Sequence, residues 1–317
     1  MAKPLRCNPS LFQQDLSGRS YIVTGSNSGI GLVTTQQLVK QGAHVVMACR
    51  RVEAAEAAAD HVRDGSPSGS IEVMELNLGD LASVRTFAES FLARCDRLDG
   101  LVNNAGVMNT GQGTTADGFE TQLGINHMGH FLLTSLLLDR LRDTAPSRIV
   151  TLSSCYHDIA MGRKGHIHFD DLNFTSGKYD GWKAYAQAKL ANLLHSRELG
   201  KRLQGTEVTA VSVHPGWVRT ELIRNTMPVW AQNLMRPFLA FSGMIEPWDG
   251  AQTTLHCLLD EDVPNHTGAF FSQRGMYSKK ECNKGGWPMV SPNAEANDDA
   301  IAERLWNISA EAVGCPA

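Results

Sequence analysis

Thr24-Gly25-Ser26-Asn27-Ser28-Gly29-Ile30-Gly31 follows the apolar run Tyr21-Ile22-Val23 and leads into a stretch with helical periodicity. Strand, glycine-rich turn and helix in that order open a dinucleotide-binding unit. Glycine there allows a tight turn and close approach of main chain to a pyrophosphate, and the following helix aims its N-terminus at the anion. The spacing is Gly-x-x-x-Gly-x-Gly, not the commoner Gly-x-Gly-x-x-Gly.

Outward from this loop, strand-like and helical runs alternate. Strands are expected at 21–24, 43–49, 71–76, 98–103, 149–152, 208–213 and 269–271. Helices are expected at 30–41, 52–63, 81–95, 119–141, 182–203 and 249–259, with Gly42 capping the first. This rhythm predicts an α/β fold, a Rossmann-type doubly wound parallel sheet, as a single domain over residues 1–317. Residues 1–16 read as an N-terminal extension.

Bulk properties narrow the function. Of the 317 residues 42% are hydrophobic and 20% charged, as in a soluble enzyme; net charge is -4 and no Lys/Arg run stands out, which argues against nucleic acid as partner. Seven scattered cysteines without a Cys-x-x-Cys pair read as reduced thiols, and Cys155 as an apolar filler. No stretch approaches eighteen or so apolar residues, and the N-terminus has no signal-peptide core. Cytoplasmic localisation is expected. The loop 155–181 carries His157, His166, His168, Asp170 and Asp171, but no second ligand cluster, so no metal is expected.

The second strand ends Met47-Ala48-Cys49 and is followed by Arg50-Arg51, with the first acid at Glu53. An acid at this point would pair with the ribose hydroxyl of NAD; two cations suit the 2′-phosphate of NADP. The expected cofactor is NADP(H) in preference to NAD(H).

Three further motifs carry chemistry. Asn103-Asn104-Ala105-Gly106 and Ser153-Ser154 each close an apolar run. Tyr185-Ala186-Gln187-Ala188-Lys189 puts a phenol and an ammonium on one helix face. The cation is expected to lower the phenol pKa, making Tyr185 a proton donor or acceptor.

Together with the glycine loop, these motifs resemble the short-chain dehydrogenase/reductase superfamily from about Leu16 to the C-terminus. Asn126, in Gly124-Ile125-Asn126-His127-Met128-Gly129-His130, matches the family's fourth catalytic position. That stretch, Lys189-Leu190-Ala191-Asn192, His214-Pro215-Gly216-Trp217-Val218-Arg219-Thr220 and Leu305-Trp306-Asn307-Ile308-Ser309 look like the retinol dehydrogenase branch. The resemblance implies Tyr185 as general acid or base. Lys189 would tune it and hold the nicotinamide ribose, Ser154 (Ser153 as fallback) would bind the substrate oxygen, and Asn126 would hold a relay water. It also implies cofactor contacts from Gly25, Ser26, Asn27, Ser28, Gly29, Ile30, Gly31, Asn77, Leu78, Asn103, Ala105, Gly106, Pro215, Gly216, Val218 and Thr220, beside Tyr185 and Lys189. Two departures stand out: Ser28 where NADP-preferring relatives often carry a base, and Asn77 where an aspartate is usual.

Residues 221–248 are rich in large apolar side chains and interrupted by Pro228, Pro237, Gly243 and Pro247, as suits a substrate flap. The expected substrate is a small lipophilic carbonyl or alcohol, retinal-like or another lipid aldehyde or ketone, with contacts from Trp217, Leu222, Met227 and Trp230. Peripheral membrane contact through the flap is expected. Relatives commonly dimerise through the helices placed at 119–141 and 182–203, which makes a homodimer the corresponding expectation. Two alternatives remain. A protochlorophyllide-reductase-like photoenzyme lacks its expected cysteine among Ala186, Gln187 and Ala188, and a catalytically silent cofactor-sensing regulator sits poorly with the intact Asn126, Ser154, Tyr185, Lys189 set.

Overall fold

The computed structural model describes residues 3–65, 68–220 and 244–316. Seven parallel strands form one sheet: β1 (Ser20–Thr24), β2 (His44–Cys49), β3 (Ser70–Glu75), β4 (Gly100–Asn103), β5 (Ser147–Leu152), β6 (Val208–His214) and β7 (Phe270–Ser272). Their order is β3-β2-β1-β4-β5-β6-β7. The strand order reverses beside β1, between β2 and β4, and a crevice opens there at the carboxyl ends of the strands.

The inner strands are largely buried because both faces of the sheet are covered, while the edge strand β3, with Glu72 and Glu75, is only partly so. Alternate residues feed two cores. Tyr21, Val23, Val150 and Val213 pack with Ile30 and Leu38 of α1 (Gly29–Lys40) and with Leu255 of α6 (Pro247–Leu259). Ile22, Leu101, Ile149 and Ala210 face the other way. They meet α3 (Leu81–Leu92), α4 (Gly129–Thr144), α5 (Gly181–Arg202) and α7 (Asp299–Val313). Helix α2 (Val52–Gly65) follows β2 and packs Ala55 and Ala59 on Met47.

Every expected strand is present within two residues, and five of the six expected helices within three. The structure corrects the sixth. The segment 119–141 is broken: a helical turn at Thr121–Leu123 gives way to a π-helical turn at Gly124–Met128, and α4 begins only at Gly129. The wide turn spans Asn126, and π-turns inside helices occur frequently at functional sites. Residues 3–16, within the expected N-terminal extension, pack against the domain. Pro9–Gln13 forms a 3-10 turn, Leu11 and Leu16 are buried, and Leu5 pairs with Gln273 in both directions (2.6 and 2.8 Å).

Helix α7 was not anticipated, although its signals are present. Asp298 caps the first turn, Gly314 closes the helix at φ 67°, and Ala302, Leu305, Trp306, Ser309, Ala310 and Val313 form a buried stripe. Trp306 stacks on His195 of α5 (5.6 Å), meets Phe131 of α4 edge-on (4.8 Å) and carries the Arg202 guanidinium over its ring (4.5 Å). The chain's own C-terminus therefore covers part of the helix pair on which the homodimer expectation rested. No helix among the described residues is long and apolar enough to cross a membrane. All seven cysteines are unpaired, and burial pushes Cys155 up to about 11, as suits an inert filler.

Candidate active site

A cavity of about 1120 Å³ follows the carboxyl edge of the sheet, from Arg50 and Arg51 beyond β2 to Arg274 beyond β7. The glycine loop forms its floor near β1. Gly25 adopts φ +62°, and a Cβ there would lie 2.8 Å from the Ala105 Cβ; a Cβ at Gly31 would meet Asn104 Nδ2 at 2.5 Å. Only bare main chain fits this cradle, and Ser28 enters α1 without a side-chain cap, leaving the helix's first N–H groups without an intrahelical partner. That arrangement fits a pyrophosphate. Arg50 and Arg51 are exposed on the same wall, directly before α2.

Two expected cofactor contacts turn out to be braces. Ser26 is fully buried and donates to the Val23 carbonyl (2.9 Å). Asn103 points into the core, donating to Thr134 (2.9 Å) and Thr151 (3.3 Å), while Asn104 reaches the cavity and ties down the carbonyls of Thr24 (2.7 Å) and Gly25 (3.3 Å). Successive residues at a strand end face opposite ways, which the motif alone does not resolve. Asn27, Ser28, Gly29, Ile30, Gly31, Leu78, Ala105, Gly106, Pro215, Gly216, Val218 and Thr220 line the cavity. Asn77 lines it too, with Oδ1 already accepting from the Gly79 N–H (3.2 Å).

A buried network sets this floor. Thr24 Oγ1 accepts the N–H groups of Asn104 and Ala105, both at 2.9 Å, so its own proton is available to His130 Nε2 at 2.9 Å. His130 then carries its proton on Nδ1 and donates to the Asn126 carbonyl (3.0 Å). Burial holds this ring neutral, pulling it down to about 3. The Asn126 amide brackets Val107, accepting from its N–H (2.8 Å) and donating to its carbonyl (3.0 Å). Both amide groups thus help to brace the loop after β4.

Tyr185 and Lys189 lie one turn apart on α5, both buried. Lys189 Nζ donates to the Leu152 carbonyl (2.9 Å) and sits 5.8 Å from the Tyr185 ring centre. Burial raises the Tyr185 phenol well above its ordinary range, with a hydrogen bond to Ser154 opposing, and lowers Lys189 to about 8. The expectation that the lysine lowers the tyrosine is corrected here: desolvation is the largest cause for both groups, and on the phenol the opposing influence is the Ser154 hydrogen bond. The two serines separate as well. Ser153 is buried with Oγ donating to the Lys189 carbonyl (2.7 Å), while Ser154 is the one bonded to Tyr185.

Beyond Ser154 the cavity turns apolar. Tyr156 stands edge-on to Tyr185 (6.1 Å) and to Trp182 (5.6 Å), and Trp217, Met161 and Met276 line the mouth with 38%, 58% and 59% of their surface exposed. Trp217 was expected; Leu222, Met227 and Trp230 lie outside the described residues. Trp182, three residues before Tyr185, was readable as sharing its helix face. Lys3, Pro4 and the segment Gln273 to Met276 also line the cavity, and no local signal marks them. Within the loop 155–181, His157 bonds the Ser154 carbonyl and Ser291, while His166 bonds Glu295. The group of potential metal ligands found among the described residues is elsewhere, His44, Glu72 and Cys95, with Glu72 paired to Arg94 (2.7 Å).

Comparison with known proteins agrees with this geometry. Residues 19–168 match the short chain dehydrogenase family model. The chain is 45% identical to retinol dehydrogenase 12 of Bos taurus over 302 residues, covering 94% of this chain and 87% of that protein. It is 40% identical to human retinol dehydrogenase 13, covering 95% and 86%. The crystal structure of an uncharacterized protein from Mycobacterium paratuberculosis superposes with TM-score 0.74 at 34% identity, covering 96% of this chain and 97% of that one. The chain belongs to the short-chain dehydrogenase/reductase superfamily, in its retinol dehydrogenase-like branch, and is an oxidoreductase of CH–OH and C=O groups that uses a nicotinamide cofactor.

Proposed function

We propose that this protein reduces a lipophilic aldehyde or ketone to its alcohol with NADPH. The observation that carries the reading is the placement of Tyr185, Ser154 and Lys189 along one cavity whose far wall bears Arg50 and Arg51. The glycine cradle would hold the pyrophosphate, the two arginines the 2′-phosphate, and Lys189 the nicotinamide ribose. Bound NADPH supplies the hydride.

The chain's own residues handle the oxygen. Ser154 hydrogen-bonds the substrate carbonyl and supports the charge that develops there. Tyr185 donates the proton, and its raised pKa keeps the phenol protonated through neutral pH, which favours the reductive direction. Lys189, lowered to about 8, is still mostly a cation at neutral pH and stabilises negative charge near the phenol. His130, Asn104 and Asn126 hold the floor in place.

The aromatic and methionine lining supports a bulky apolar substrate. The exposed apolar side chains at the mouth also suit contact with a membrane surface from which such a substrate would enter. A panel of aldehydes and ketones run with NADPH and with NADH tests the reading. Long-chain or retinal-sized carbonyls with NADPH should give the highest kcat/KM; a preference for short polar carbonyls, or for NADH, would overturn it.

A further inference from the structure

The substrate end of the cavity carries two cations that the reduction does not use. Arg274, just past β7, is half-buried on the cavity wall. Its Nε donates to the Lys3 carbonyl (2.5 Å), and no carboxylate among the described residues pairs with its guanidinium. The pairing of Leu5 with Gln273 brings the N-terminal segment alongside, so that Lys3 lines the same wall. A guanidinium on a cavity wall without a carboxylate partner offers its N–H groups to an anionic ligand.

Its place in the sheet says which part of a ligand it would meet. Arg50 and Arg51 lie three strands from β5 on one side, and Arg274 lies two strands from β5 on the other. Ser154 follows β5, so the main chain that carries Arg274 runs about 10 Å across the sheet from the strand that carries Ser154. The wall between them is mixed: a Cβ at Gly275 would lie 2.8 Å from the Tyr277 ring, 3.0 Å from His214 Nε2 and 3.1 Å from the Cys155 Cβ, and the apolar Met276 and Trp217 continue it to the mouth. With Nε committed to Lys3, the two terminal nitrogens of Arg274 remain, a pair that matches the two oxygens of a carboxylate.

We propose that Arg274, assisted by Lys3, binds a carboxylate at the far end of the substrate, so that among lipophilic carbonyls of equal length those ending in a carboxylate are preferred. This rests on the reading of Tyr185 and Ser154 as the reacting end. The test compares ω-oxo carboxylic acids with n-alkanals of equal carbon number, about eight to twelve, a range that brackets the 10 Å span. Wild-type enzyme should favour the acid by tenfold or more in kcat/KM. Arg274→Ala should lose about 10- to 100-fold more on the acid than on the alkanal, mostly through KM. Arg274→Lys should recover part of the preference, and Lys3→Ala should show a smaller loss. Equal losses on both substrates would reduce Arg274 to a clamp on the N-terminus, and a raised KM for NADPH would assign it to the cofactor; either overturns the proposal. Calorimetric binding of the matching saturated fatty acids, which have no carbonyl to reduce, separates the two readings. Arg274-dependent binding without turnover of any oxo acid would keep the subsite and sink the catalytic assignment. Absence of such binding would sink the subsite alone.

Discussion

His127, His130, His157 and His214 are buried, and burial pulls them from an ordinary 6.5 to about 4, 3, 4 and 3 respectively. The hydrogen bonds around His130 show the cause at one ring. Protonating Nε2 would point an N–H at a Thr24 oxygen whose lone pairs are already taken by Asn104 and Ala105. Below 6.5 the unfolded chain binds protons on these rings while the folded chain does not, so stability present above 6.5 is lost as pH falls towards the folded values. Between about pH 7 and pH 5 each ring forfeits about 2 kcal/mol, and the four together about 8 kcal/mol. Domains of this kind hold about 5–15 kcal/mol in all, so acid should unfold this one. Urea unfolding followed by circular dichroism at stepped pH measures the effect. The midpoint should drop steeply below about pH 6, with a slope corresponding to three or four protons taken up on unfolding. A midpoint flat to about pH 5, or an uptake below one proton, would refute the claim that these rings are held neutral by the fold.

Three further outcomes concern the site and its surroundings. Tyr185→Phe should keep cofactor binding while turnover falls at least about 10²-fold, and wild-type turnover should decline above about pH 8 as Lys189 loses its proton; a pH profile flat to about pH 10 would remove the lysine from the mechanism. Replacing Arg50 and Arg51 together with alanine should weaken NADPH more than NADH by about 2–3 kcal/mol, read from paired titrations. Because α7 covers part of α4 and α5, the protein should run at the mass of one chain in light scattering, and a stable dimer would show that another surface is used.

Much of the fold was legible in one dimension. A glycine loop between an apolar run and a helix, followed by regular alternation, is enough to place the strands and helices along the chain, since local spacing dictates which face each residue takes within its own element. The same spacing put Tyr185 and Lys189 on one helix face and Arg50 and Arg51 beyond the second strand. The stripe that makes α7 was also present, though it was noticed only as a family resemblance.

What the sequence did not contain is how elements meet. Asn103 against Asn104 and Ser153 against Ser154 are decided by which neighbour faces the core, a matter of a strand's last half-turn. Lys3 and Arg274 lie 271 residues apart and come together only because Gln273 pairs with Leu5. The tyrosine's pKa moved opposite to the motif's suggestion because spacing reports charge proximity but not desolvation, and desolvation is set by everything packed around a group. Sequence determined which chemistry the chain carries; tertiary packing determined which atoms face the cavity and how strongly their environment resists charge.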